Sequence, residues 1–333
     1  MDGALLVFIF AVALSYVYAF VGGFTDAANA IATSVGTRAF TPLQAVVVAG
    51  VFELLGALTG TAVAQTIGRG IVPPELLTQG AVVAALIAAM AWSLLTYRYG
   101  IPVSETHGLL GGIVGVGLAY AGPGAINWSK VVPALAAVFV SPILGFVGGA
   151  LILAVIYRTV WRMPRGATVP LFQRAQQASS IFMAFSHGRN DAQKPMGVLT
   201  MALAVFYGLE DPSVPLWVIL SVALMAALGV AAGGWRIIQT LGERMARLQP
   251  EQGFAAEIAA ASVLQLASEQ GIPVSTTHTI TSAIVGAGTL RGWKRVRWGV
   301  VSEILQSWLL TLPATIGFGY LVAMVIRAIF GAV

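Results

Sequence analysis

Five charge-free, mainly apolar runs punctuate the chain, at 3–25, 76–97, 131–157, 212–235 and 304–326. Each approaches or exceeds the roughly 20 residues that a helix needs to cross the hydrocarbon core of a bilayer. The pattern predicts an all-α integral membrane protein. The first run has no basic n-region and leads into a polar motif instead of a cleavage site, so it reads as a retained span and not as a signal peptide.

Composition sharpens this picture. Only 9% of the 333 residues are charged, against roughly 25% in a soluble domain. Water is not the solvent for most of this surface. The absence of Cys removes a disulfide framework and a thiolate metal site. The formal charge of +5 is not a nucleic-acid signal, because Lys and Arg in a membrane protein record which loops stay in the cytoplasm.

The chain is duplicated. Residues 100–117 (GIPVSETHGLLGGIVGVG) and 271–288 (GIPVSTTHTITSAIVGAG) agree at eleven of eighteen positions. Gly23-Phe24-Thr25-Asp26 answers Gly188-Arg189-Asn190-Asp191, Thr66-Ile67-Gly68 answers Thr240-Leu241-Gly242, and Trp128 answers Trp298. The reading is a first transmembrane repeat at 1–160, a basic cytoplasmic linker at 161–174 and a second repeat at 175–333. Arg158, Arg162, Arg165 and Arg174 place the central loop inside, and Arg291, Lys294, Arg295 and Arg297 do the same for a late loop. The first-half counterpart of that late loop, 121–130, carries only Lys130 and falls outside. Arg38 and Arg98 (inside) against Glu210, Asp211 and Glu269 (outside) repeat the reversal. Five crossings per half satisfy every assignment. The expectation is about ten transmembrane helices, some broken or half-length, in two inverted-topology repeats, a common transporter plan.

The polar residues within these runs supply the chemistry. Pro102-Val103-Ser104-Glu105-Thr106-His107 and Pro273-Val274-Ser275-Thr276-Thr277-His278 each follow a Gly-Ile pair and precede an apolar run. Pro suits a first helical turn and Ser an N-cap, so a helix begins at each. Its free N–H groups and positive dipole end favour an anion. Asp26 and Asp191 are intramembrane acids, functional candidates by default. Gly22 and Gly23 beside Asp26, and Gly188 near Asp191, suggest broken helices whose freed carbonyls hold a cation or pass a proton. Glu53 interrupts another apolar stretch and Glu257 opens a helix at 254–269; both are candidates for coupling, and Glu257 equally for a structural ion pair. Glu243 and Glu303 read as solvated. Gly56…Gly60 and Gly145, Gly148 and Gly149 read as close-packing positions.

At GFTDAANAIATSVGT (23–37), PVSETH (102–107), SHGRNDAQKPMG (186–197) and PVSTTH (273–278) the chain resembles the inorganic phosphate transporter (PiT) family. The resemblance spans nearly the whole length. It implies secondary transport of phosphate with H⁺ or Na⁺, by alternating access in an inverted-repeat fold that often dimerises, in a bacterial or archaeal plasma membrane. It implies phosphate at Ser104, Thr106, Ser275, Thr276 and Thr277, and Glu105, within the first of these motifs, is a further candidate for the phosphate site. It implies cation or proton coupling at Asp26, Asn29, Asn190 and Asp191; Lys194, within the second of these motifs, and the intramembrane acids Glu53 and Glu257 are further coupling candidates from the residues themselves. No cofactor or resident metal is expected, although a divalent ion carried with phosphate fits some relatives. The expected partners are phosphate, the coupling cation, membrane lipid and a second copy of the chain. Three positions depart from the family pattern: Thr25 and Lys194 stand where Asn is usual, and Glu105 where Thr is usual. Lys has no acceptor for Na⁺ and brings its own charge, which tilts the reading toward H⁺.

Two other functions compete. Sulfate permeases are related, but sulfate carries no proton to donate to Asp26, Glu105 or Asp191, whereas phosphate does. An intramembrane aspartyl protease needs two carboxyls close enough to share a proton, but it has no use for duplicated hydroxyl-rich helix starts.

Overall fold

The computed structural model describes residues 3–331 and is helical from end to end. The first half runs α1 (Gly3–Gly36), α2 (Pro42–Ala57), α3 (Ala62–Gly70), α4 (Gln79–Tyr99), α5 (Glu105–Ala121) and α6 (Trp128–Val160). The second runs α7 (Arg165–Asp191), α8 (Gln193–Tyr207), α9 (Leu216–Ala232), α10 (Trp235–Gln239), a π-helical turn (Thr240–Arg244), α11 (Pro250–Glu269), α12 (Thr276–Leu290) and α13 (Trp298–Phe330). With α7 and α8 together standing opposite α1, and α10 with its π turn opposite α3, the second order of elements reproduces the first. Only 161–164 separate α6 from α7, so most of the stretch expected as a linker is the start of a helix.

Local chemistry explains the boundaries. Thr41 and Gln44 form a capping box ahead of α2, with Pro42 at its first position. Gln249, Gln252 and Pro250 build the start of α11 in the same way. Gly100 ends α4 at φ 69, a left-handed conformation open to glycine at little cost.

Four helices are long and apolar enough to cross a membrane, and up to six spans result if each bent pair counts as one. The bent pairs occupy matching places: α2 with α3 at 71°, and α9 with the helical stretch Trp235–Arg244 at 57°. That count falls four below the ten expected: α5 and α12, at 17 and 15 residues, are shorter than a full span, and α7 and α11, at 27 and 20 residues, are long enough but not apolar enough. The long helices turn large apolar side chains outward, such as Leu151, Val155, Leu309 and Leu321. Hydrocarbon is the medium that suits such a surface. The chain is a multi-pass membrane protein.

The helices pack across the halves. α5 lies chiefly on α13, α12 on α6, α1 on α9, and α2 on α7. Several crossings are backbone-to-backbone. A β-carbon on Gly56 would stand 2.0 Å from the Phe185 carbonyl oxygen, and one on Gly188 would stand 2.1 Å from that of Glu53. Gly145 and Gly149 are pressed in the same way onto Thr279 and Ala283 of α12. Of the small-residue positions expected to pack closely, Gly56, Gly145 and Gly149 press onto backbone and Gly148 lies close to Ala259, whereas Gly60 meets only the side chains of Gln193 and Arg189.

One expectation fails. α1 continues unbroken through Gly22, Gly23 and Asp26. These glycines do not unwind the helix: a β-carbon on Gly23 would stand 2.2 Å from the Ala226 oxygen of α9. The Thr25 hydroxyl bonds back to Val21 O at 2.9 Å within the helix. In the second half, a one-residue interruption at Ala192 separates α7 from α8. Pro195, in the first turn of α8, has no N–H to offer the Asp191 carbonyl.

Candidate functional site

The two Pro-Val-Ser breaks form nearly identical helix starts. Ser104 (φ −87, ψ 112) and Ser275 (φ −86, ψ 108) are the N-caps of α5 and α12. Each hydroxyl accepts from the amide three residues on, His107 at 3.2 Å and His278 at 3.1 Å. The first in-helix bonds are Gly108 N–H to Ser104 O and Thr279 N–H to Ser275 O. The amides of Glu105, Thr106, Thr276 and Thr277 precede those bonds and are the free donors of the two helix ends. Ser104→Ala and Ser275→Ala are each expected to cost about 1 kcal/mol. Thermal unfolding in detergent would register this; an unchanged midpoint in both would mean that the caps are dispensable.

The two starts are clasped together. Thr106 Oγ1 donates to Val274 O at 2.8 Å, and Thr277 Oγ1 donates to Val103 O at 3.0 Å. Each half lends a hydroxyl to the carbonyl freed by the other half's break. Behind them the His107 and His278 rings meet edge to face at 4.6 Å, and His278 stacks on Trp308 at 3.6 Å. The Trp308 indole donates to Pro102 O at 3.1 Å.

The acids gather against this clasp. Asn29 of α1 donates to Thr277 Oγ1 at 2.9 Å and to Thr276 Oγ1 at 3.3 Å. Thr276 donates to Asp191 Oδ2 at 3.1 Å, and Thr277 Oγ1 lies 3.5 Å from Asp26 Oδ1. Asp191 Oδ2 also receives Lys194 Nζ at 2.9 Å and lies 3.3 Å from His187 Nε2. The other ring nitrogen, His187 Nδ1, is 2.8 Å from Glu53 Oε2. Thr25 Oγ1 also lies 2.9 Å from Glu105 Oε1. Ligand atoms of Asp26, His187 and Asp191 all fall within 4.8 Å of one another. A cavity of about 20 Å³, room for roughly one water, opens beside Tyr18, Glu53, Glu105, Asp191 and Lys194. All of these groups are buried or nearly so. Four carboxyls thus face one ammonium and one imidazole, so acidic groups outnumber basic ones in the site.

Ser104, Ser275, Glu105, Thr106, Thr276, Thr277, Asp26, Asn29, Asp191, Lys194 and Glu53 are therefore brought together. Asn190 is not among them, because its amide points to Ser268 Oγ at 2.9 Å. Glu257 is also apart. It lies in the second turn of a helix that begins at Pro250, earlier than expected. Its carboxylate receives Thr33, Ser179, Ser180 and Gln176, and it forms no ion pair among the described residues. Three neighbours were not singled out as site residues. His187 was detectable four residues before Asp191 on the same helical face. Thr25 was visible only as a departure from pattern. Tyr18 gave no signal.

Comparison with known proteins places the chain in a family. The pattern described as "Phosphate transporter family" matches residues 22–319. A Bacillus subtilis protein named "Probable low-affinity inorganic phosphate transporter" is 38% identical across 99% of this chain and 100% of its own length. A Rhizobium meliloti protein of the same name is 41% identical over 93% of each. A solved structure named "The sodium-dependent phosphate transporter" superposes with a TM-score of 0.88 at 29% identity, covering 98% of this chain and 100% of that one. The family match extends over both halves of the fold, and the chain belongs to the phosphate transporter family.

Proposed function

We propose that this protein carries inorganic phosphate across the membrane together with a positive charge. The observation that carries the reading is the clasped pair of N-capped helix starts, donor-rich and set against Asp26, Asp191 and Lys194. Amides and hydroxyls at two helix N-termini suit an oxyanion. Phosphate retains a proton near neutral pH and can donate to the carboxylates, which sulfate cannot. The names of the relatives support the same substrate. Membership of a transporter family sets aside the protease.

In this reading phosphate binds Ser104, Thr106, Ser275, Thr276, Thr277 and the adjoining amides. Asp26, Asn29 and Asp191 take the coupling charge. Glu105, Glu53 and His187 hold the field around them. Repeats 1–160 and 175–333 are inverted, giving about ten crossings. They rock about the site in alternating access, and two copies associate in the bilayer. Carboxyl groups this close to the anion must be neutralised, by a proton or a cation, when it enters, so loading of cation and phosphate is cooperative.

The coupling ion is the proton, on the strength of Lys194. Its ammonium sits 2.9 Å from Asp191 Oδ2, where it occupies an oxygen that a metal cation would otherwise use. A second reading, Na⁺, draws on the solved neighbour, which is sodium-dependent by name. Proteoliposomes separate the two. Radiolabelled phosphate should accumulate above equilibrium when a pH gradient alone is imposed. Accumulation with Na⁺ alone would discard the role given to Lys194, and no accumulation under either gradient would discard phosphate. Added divalent metal in a third run tests whether a metal–phosphate complex is the cargo.

A further inference from the structure

We propose that a second phosphate-group site lies at the mouth on the basic face of the protein, in the cleft between the end of α1, the π turn and the start of α13. The proposal rests on the transport reading above and extends it to the exit side.

The cleft has a volume of about 450 Å³. Arg38, Arg244, Arg247 and Arg297 line it, with Glu243 as the acid among them. Among the described residues none of these four guanidinium groups forms an ion pair. Three separate devices bring them together. A β-carbon on Gly36 would stand 2.4 Å from the Gly242 oxygen, so the end of α1 is fixed against the π turn. The isolated bridge Ala246↔Val296 and the bond from Arg297 N–H to Met245 O at 3.0 Å fix the start of α13 to the segment after that turn. Arg38 itself adopts φ 63, the one left-handed residue other than glycine among the described residues. It follows α1 where glycine is favoured, and Ala39 N–H closes the motif on Ser34 O at 2.9 Å. A side chain held at a position where it strains the backbone calls for a reason beyond helix termination.

Guanidinium groups suit a phosphate group because their planar fork can donate two hydrogen bonds at once. One helix, α1, also joins the cleft to the central site. Asn29 and Thr33 of α1 and Thr37 just past its end follow one another at four-residue spacing. Thr33 donates to Glu257 at 2.5 Å and Thr37 to Gln176 at 2.6 Å. This polar seam leaves the central site at Asn29 and ends one residue before Arg38. Arg236 donates to Arg98 O at 2.5 Å on the basic side; Arg38, Arg98 and Arg297 are the residues whose charge assigns them to the cytoplasm. Free phosphate arriving inside is the source we assign; the headgroup of an anionic phospholipid offers the same chemistry.

Equilibrium binding of radiolabelled inorganic phosphate to the full chain in purely zwitterionic nanodiscs tests this. Wild type should show two classes of sites, the weaker one lost at high salt. Thr276→Ala with Thr277→Ala should remove the tighter class alone. Arg38→Gly should weaken the salt-sensitive class about tenfold, the equivalent of one charge-assisted contact, yet raise the unfolding midpoint by relieving the left-handed residue. Arg244→Gln with Arg297→Gln should remove the weak class without that gain. A single, salt-insensitive class in wild type, or an Arg38→Gly variant that binds like wild type, overturns the proposal. A wild type that shows the salt-sensitive class and lacks the tight one would instead count against the central reading. If the cleft variants change retention of anionic lipid and leave phosphate binding intact, the phosphate group is that of a headgroup.

Discussion

Asp191→Asn is expected to abolish gradient-driven phosphate uptake and also to destabilise the protein. Asp191 Oδ2 is the hub of the site, taking Lys194, Thr276 and the near edge of His187. Lys194 is only 3% exposed. An amide in place of the carboxylate leaves that ammonium buried without its counter-charge, at a cost of about 3–5 kcal/mol. Uptake should fall by about 100-fold or more, which corresponds to about 3 kcal/mol in the barrier. Adding Lys194→Met should recover much of the unfolding midpoint but none of the uptake. Asp26→Asn is the contrast. Asp26 forms no ion pair among the described residues, and an asparagine keeps an oxygen near Thr277. That variant should stay folded and still lose coupled uptake. Paired measurement of midpoint and uptake decides the matter: a stable, inactive Asp191→Asn would dissolve the link to Lys194, and an active Asp26→Asn would remove Asp26 from coupling.

The second large effect lies outside the chemistry. Gly188→Ala would set a methyl 2.1 Å from the Glu53 carbonyl oxygen, a backbone atom that cannot step aside by changing rotamer. Gly56 on the facing helix is equally tight against Phe185. α2 and α7 must therefore separate, at a cost of about 3 kcal/mol, seen as a midpoint lower by about 5 °C or more. The residue next to Gly188 is His187, whose contact with Glu53 crosses this same seam. Uptake should thus fall further than unfolding alone explains at a temperature where the variant is still folded. A variant with normal uptake below its midpoint would show that the His187–Glu53 contact tolerates a shift of the helices.

Much of the site was legible in the sequence because its parts are local. The serine caps, the hydroxyl-rich starts and the intramembrane acids each declare themselves within six residues, and duplication brings the two sets into correspondence. What was misread depends on direction. Asn190 and Asp191 are neighbours in the chain but about 100° apart around a helix, so one faces the clasp and the other faces Ser268. Glu257 looked like another coupling acid, yet its position on α11 turns it to hydroxyls of α1 and α7. The glycines beside Asp26 carry the same composition as a broken helix, and only the carbonyl of Ala226 across the crossing reveals why they are small. The clasp itself joins hydroxyls to backbone carbonyls 168 and 174 residues away, a relation that no spacing encodes.

That clasp, and the exchange of partners around it, also governs how the protein can be made. α5 rests on α13 and α6 on α12, so when the first half leaves the ribosome neither helix has its neighbour. The Val103 carbonyl lacks its hydroxyl until Thr277 has been synthesised. Insertion is therefore a waiting process, in which the early helices stay loosely associated until the last one arrives. A chain shortened within α13 would leave both halves of the site unfinished, and the two halves made as separate polypeptides should mature only when they meet in the same bilayer.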